Sequence, residues 1–151
     1  MAYADLDFYK QKFHGDVLDE TTAPKWLEMA SDELDAFTHG RLISAFPTDQ
    51  TASAKVGKAV CAIADALFLI DSQRQAAAAK QTADGSYHGA VASISSGKES
   101  VSYSAIGATA SVYASAAASV AEQARLIGDI ACKYLANIPD ANGVNLLYAG
   151  W

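Results

Sequence analysis

Between Asp49 and Lys80 the large apolar residues Val56, Val60, Ile63, Leu67 and Ile70 recur at steps of four, three, four and three. A helix returns a side chain to one face at that spacing, so the run predicts a long helix with a single apolar stripe. Ala59, Ala62 and Ala66 widen it. Beyond Asp71 the pattern decays into QRQAAAAK, which keeps helix propensity without large core residues. These last turns are expected in solvent or against another subunit. About a fifth of the chain is alanine and only 3 residues are proline, a balance that favours helix over strand. With 51% apolar and 19% charged residues in a length of 151, one domain with a real core is expected.

Three further segments read as helix. Leu6, Tyr9 and Phe13 place a short one over Asp5 to about Lys12, ending at His14-Gly15. Leu27, Ala30, Leu34 and Phe37 form a stripe at three, four, three. That helix opens at Thr21 or Thr22, whose hydroxyl is placed to cap free amides, and Pro24 fits its first turn. Gly40 ends it, and Arg41 to Gln50 reads as a connection. The last helix runs from about Thr109 to Asn137, where Ile138-Pro139-Asp140 stops it; Ile127, Ile130, Tyr134 and Leu135 face the core. Between the two long helices, AVASISSGKESVSYS alternates around Ser96-Gly97-Lys98-Glu99, so a short β-hairpin or extended loop is expected over 90–104. The fold class is therefore all-α, a bundle of three to four helices. The tail from residue 139, ANGVNLLYAGW at its end, is apolar for a terminus, where chains are usually polar and loose. Leu146, Leu147, Tyr148 and Trp151 are expected to dock on something, and removing 144–151 is expected to leave the fold intact.

A search for chemistry finds little. His14, His39 and His88 sit near helix ends or in loops, with no pair at metal-ligand spacing on one helix. Cys61 and Cys132 read as two small buried hydrophobes in a reducing compartment, not a disulfide. There is no phosphate-cradling glycine motif and no G-x-S-x-G elbow. Ser95-Ser96-Gly97-Lys98 spells S-x-x-K, but it straddles a predicted turn instead of one helical turn. The paired acids Glu28, Asp32 and Asp35 read as a solvated helix face. No catalytic, metal or cofactor-binding residue is assigned, and a non-enzymatic protein is expected.

The net charge of −6 is local. Residues 1–50 hold four basic and ten acidic side chains, and the remainder balances. Phosphate recognition needs clustered Lys and Arg, so specific DNA binding is disfavoured. No apolar run approaches the roughly 20 residues that span a bilayer. The start, MAYADLDFYKQKF, lacks the basic and apolar regions of a secretory signal, so neither a membrane nor an exported location is expected.

Four segments together resemble a known family. PKWLEMASDELDAFTHGRL carries Ala30, Ser31, Leu34, Asp35, Thr38 and Arg41. KVGKAVCAIADALFLI carries Ala59, Val60 and Cys61, and SISSGKESVSYS carries Ser96, Gly97, Ser100, Val101, Ser102 and Tyr103. NLLYAG ends the set with Leu146, Leu147, Tyr148 and Gly150. Order and spacing resemble the head-to-tail connector (adaptor, or head-completion) proteins of tailed bacteriophages and prophages. The chain departs from that pattern at Asn145, where the family usually has Gly, and at Ala149, where it has Arg.

The resemblance implies a helical bundle that assembles with itself as a ring, commonly dodecameric, beneath the portal protein. Such a ring extends the DNA channel and gives the next connector, stopper or tail protein its platform. The implied location is the neck of the virion, after synthesis in the cytoplasm of a host bacterium. On this reading Ser95, Ser96, Gly97, Lys98, Val101 and Tyr103 make subunit or neck contacts. Leu146, Leu147, Tyr148 and Trp151 dock on the portal. Asp16, Asp19, Glu20, Glu28, Asp32 and Asp35 line the channel, where DNA passes without specific binding. The competing expectation is a cytoplasmic helical protein-binding module, and stopper or tail-completion roles resemble the adaptor role closely.

Overall fold

The structure, a computed structural model, describes residues 2–82 and 112–148. Over these residues the chain forms helices α1 (Leu6–Gln11), α2 (Ala23–Phe37), α3 (Arg41–Ser44), α4 (Gln50–Thr82), α5 (Val112–Ala118) and α6 (Val120–Leu135). The expected all-α architecture is the observed one. The hairpin or extended loop expected at 90–104 lies outside the described residues. Where one domain was expected, the chain divides into two compact units: residues 1–68 with 127–151, and residues 69–126.

The first unit is organised by the stripe of α4. Val56, Val60, Ile63 and Leu67 are all buried, joined by Ala59, Cys61 and Ala64. Leu27, Ala30 and Leu34 of α2 and Ile127, Ala131 and Leu135 of α6 complete the same core. Each large side chain buried this way stabilises the fold by about 1.5–3 kcal/mol relative to exposure. Trp26 meets Phe68 edge to face at 5.9 Å, which closes one margin of the core. Gly57 lets α1 approach α4: a Cβ there would lie 2.7 Å from Cζ of Phe8.

Local polar chemistry sets the helix ends. Asp5 caps α1 by accepting the Phe8 amide at 2.8 Å, and Asp49 caps α4 by accepting that of Ala52 at 2.9 Å. At α2 the expected threonine cap is not formed. The Asp19 carboxylate accepts the amides of Thr21 (2.9 Å) and Thr22 (2.8 Å) and both their hydroxyls. Those amides precede α2, so Asp19 organises the turn that leads into the helix, and Thr22 at the N-cap position makes no side-chain cap. The α2 C-terminus closes as a Schellman turn: Gly40 N–H donates to Asp35 O (2.8 Å) and His39 N–H to Ala36 O (3.2 Å). His39 (φ 54°) and Gly40 (φ 74°) both take left-handed conformations there.

Three other expectations need correction. The connection after Gly40 contains the helical turn α3. The single helix expected over 109–137 is two helices, because Ser119 starts a new one: its hydroxyl accepts the Glu122 amide at 3.4 Å and its carbonyl the Gln123 amide at 3.0 Å. Cys132 is exposed, not buried like Cys61, and both are free.

In the second unit Ile70 and Ala116 are buried. The Arg74 guanidinium spans to Ala117 O (Nε, 3.3 Å) and to Gln123 Oε1. The turns Gln73–Ala78 are exposed along their length.

The tail brings the largest correction. Leu146 is fully buried in the chain's own core, with Leu147 half-buried against it. Its amide donates to Ile138 O at 2.9 Å, and Pro139 and Asn145 form an antiparallel bridge. Leu146 is therefore an anchor of this fold and not a side chain held out for another protein. Removing residues 144–151 would take Leu146 out of that core. Leu146→Ala should cost about 2–5 kcal/mol in urea unfolding, and truncation before Val144 should cost more; an unchanged midpoint in either would contradict the tail's place in the core.

Candidate functional site

The corner between α2 and α3 gathers polar residues that the sequence spaces along one helix face. Ser31 is buried; its hydroxyl donates to Leu27 O (2.8 Å) and accepts the Tyr3 amide (3.0 Å). One turn on, Asp35 Oδ1 accepts the Tyr3 hydroxyl at 2.6 Å. Burial, then the Asp35 bond and charge, push the Tyr3 phenol well above its ordinary range. The Tyr3 ring stacks on Phe46 at 5.2 Å. Thr38, also buried, donates to Leu34 O at 2.9 Å. Ser31 and Asp35 therefore fix the N-terminal segment on α2, while Thr38 bonds within the helix.

Arg41, at the start of α3, holds the other terminus. Its Nε and Nη2 donate to Tyr148 O at 3.2 and 3.0 Å. Its Nη1 lies 3.5 Å from Oδ2 of Asp140, and the guanidinium sits 5.8 Å from the Tyr148 ring centroid. The forked donor geometry of arginine suits this triple task. Asp140 in turn organises the turn before the tail, its Oδ1 accepting the amides of Asn142 (2.8 Å) and Val144 (3.0 Å). The Val144 and Asn142 amides, with Arg41, hold its carboxyl below the usual range. Gly143 at φ 81° completes that turn.

Beside this corner two clefts share a wall made by Tyr3 and Phe46. One, of about 740 Å³, is floored by Leu42, Ile43 and Phe46, and its charged lining residues are Asp32 and Asp35. The other, of about 510 Å³, is lined by Phe8, Gln50 and Ser53, and its charged lining residues are Lys12 and Lys58.

The acids singled out in the sequence are not alike in place. Asp16, Asp19, Glu20, Glu28 and Asp32 are exposed, Asp19 also bonding the turn before α2, whereas Asp35 is half-buried against Tyr3. Of the tail residues, Leu146 is buried, Leu147 half-buried and Tyr148 52% exposed. Ser95, Ser96, Gly97, Lys98, Val101, Tyr103 and Trp151 lie outside the described residues.

Sequence reasoning missed Tyr3, Asp140 and a buried polar hub at Tyr9. The Tyr9 hydroxyl donates to Asp65 Oδ1 (2.6 Å) and accepts the amides of Val17 (3.1 Å) and Leu18 (3.0 Å). Gly15 packs against its ring, leaving no room for a Cβ. Burial and Asp65 push the Tyr9 phenol up to about 12, and burial raises the Asp65 carboxyl. The signal for Asp140 was the Asp-x-Asn-Gly run, which is turn chemistry; an isolated tyrosine in a helical stripe gives no such signal. Among the described residues no group of three His, Cys, Asp or Glu is placed to hold a metal ion. Burial pushes the Cys61 thiol up to about 12, so it remains protonated and unreactive at neutral pH. The corner thus holds both ends of the described chain in place.

The two kinds of carboxyl give opposite pH signatures. Asp19, lowered by Thr21 and Thr22 from 3.8 to about 2, and Asp140, also lowered, favour folding above their unfolded values. That stabilisation disappears as pH falls through the folded values. Asp65, raised above 3.8, acts in reverse, and its ionisation weakens the fold as pH rises. Thermal melts from acid to neutral pH should show Asp19→Asn and Asp140→Asn losing most stability at neutral pH. Asp65→Asn should gain on the wild type as pH rises; parallel profiles for all three would contradict these assignments. Compared with protein-family models, curated proteins and solved structures, the chain has no match.

Proposed function

We propose that the chain is a head-to-tail connector of a tailed bacteriophage or prophage, a structural protein that forms a ring beneath the portal and continues the DNA channel. The observation that carries this reading is the meeting of Arg41 with Tyr148. They belong to two of the four segments that resemble the connector family, over a hundred residues apart, and the fold joins them in one clamp. A helical bundle whose termini are both pinned to one corner supports the same role, since a ring subunit must present its terminal surface at a fixed angle.

The clamp refines what the tail does. Leu146 anchors it, and the half-exposed Tyr148 ring, with the residues after it, is the part offered to the portal. The exposed acids Asp16, Glu20, Glu28 and Asp32 face the channel, where like charge keeps DNA from adhering. Asp19 and Asp35 serve the fold first. The protein needs no catalytic step for this work; its output is a set of interfaces.

Purified chain mixed with the portal protein of the same genome should form a ring seated on the portal in negative-stain images, with a native mass of many copies per portal. Tyr148→Ala should weaken seating without unfolding the chain. Full-length protein that stays dispersed and never binds the portal would favour the binding-module reading instead.

A further inference from the structure

The two clefts that share the Tyr3–Phe46 wall carry opposite charge: Asp32 and Asp35 line one, Lys12 and Lys58 the other. Asp32 and Lys12 are exposed and Lys58 is half-exposed, so these charges are available to a partner. Ile43, on the acidic side, is 72% exposed, a large apolar side chain that gains by being covered. Two adjacent clefts of opposite sign that share one wall are complementary to the same pair turned through a half rotation. A two-fold axis through the shared wall sets each acidic cleft on the basic cleft of the other copy and forms both ion-pair sets at once.

We propose that the free protein associates with a second copy of itself through these clefts, as a two-fold dimer held by the exposed Asp32 of one copy, with Asp35 adding charge behind it, against Lys12 and Lys58 of the other. The pairing concerns the protein before any ring forms and stands independently of the connector reading. It also covers Asp32, which a channel-facing role leaves open only after the copies part. Solvent-exposed ion pairs contribute little each, so the dimer is weak, with Kd on the order of micromolar or above.

Sedimentation of the full chain without portal tests this. Wild type should shift from monomer to dimer with rising concentration, and the shift should fade between about 0.01 M and about 1 M salt as screening shortens. Asp32→Lys, and separately Lys12→Glu with Lys58→Glu, should each raise Kd by about tenfold or more. Mixing these two variants should recover a one-to-one dimer, because opposite signs again face each other. Glu33→Lys, an exposed change on α2 outside both clefts, should leave Kd unchanged. Circular dichroism confirms that each variant is folded. A monomer at every concentration, a dimer indifferent to the reversals, or variants that fail to pair on mixing would each overturn the proposal. A ring that still forms on the portal in any of those cases leaves the connector reading standing.

Discussion

Burial of one stripe on α4 is the constraint on which the first unit depends. Among the described residues, Val56, Val60, Ile63 and Leu67 share one core with α2, Leu42 of α3, the second half of α6 and the segments towards either end of the chain. Because the two neighbouring helices bring mostly alanine and leucine to that stripe, it is completed by Tyr9 from the N-terminal side and Leu146 from the C-terminal side. Both termini are thereby drawn into the core, and each needs polar bonds to stay there. Tyr9 has Asp65 and the amides of Val17 and Leu18; the tail has Arg41 and Asp140.

How much of this was legible in the sequence depends on the physical range of each interaction. The stripes of α2 and α4 follow from a period of 3.6 and appear where spacing puts them. Caps and breaks were only partly visible, because several neighbours compete for the same amides. Asp19 bonds both threonines expected at the cap, and Ser119 divides an alanine-rich run that looks continuous. The tail was read correctly as apolar and in need of a home, but the home itself was not readable. Whether Leu146 meets its own chain or another is decided by α2, α4 and α6 arranged in space, and periodicity carries no information about that. The polar contacts of Arg41 with Asp140 and Tyr148 span about a hundred residues and are equally silent in the sequence.

The corner around Arg41 has a buried layer and an exposed layer. Ser31, Thr38, Asp140 and Leu146 are buried and hold the segments together. Ile43 and Asp32 are exposed nearby, and the Tyr148 ring is half-exposed beside Arg41. Substitutions in the inner layer should therefore be read through stability, and those in the outer layer through assembly.

The central claim is that this chain occupies the neck of a virion. Gold-labelled antibody against the purified protein, applied to intact tailed particles from the source genome, tests it directly. The account predicts label at a single position between head and tail. Label along the tail shaft, at its distal tip or on the capsid shell, or particles that lack the protein altogether, would contradict it.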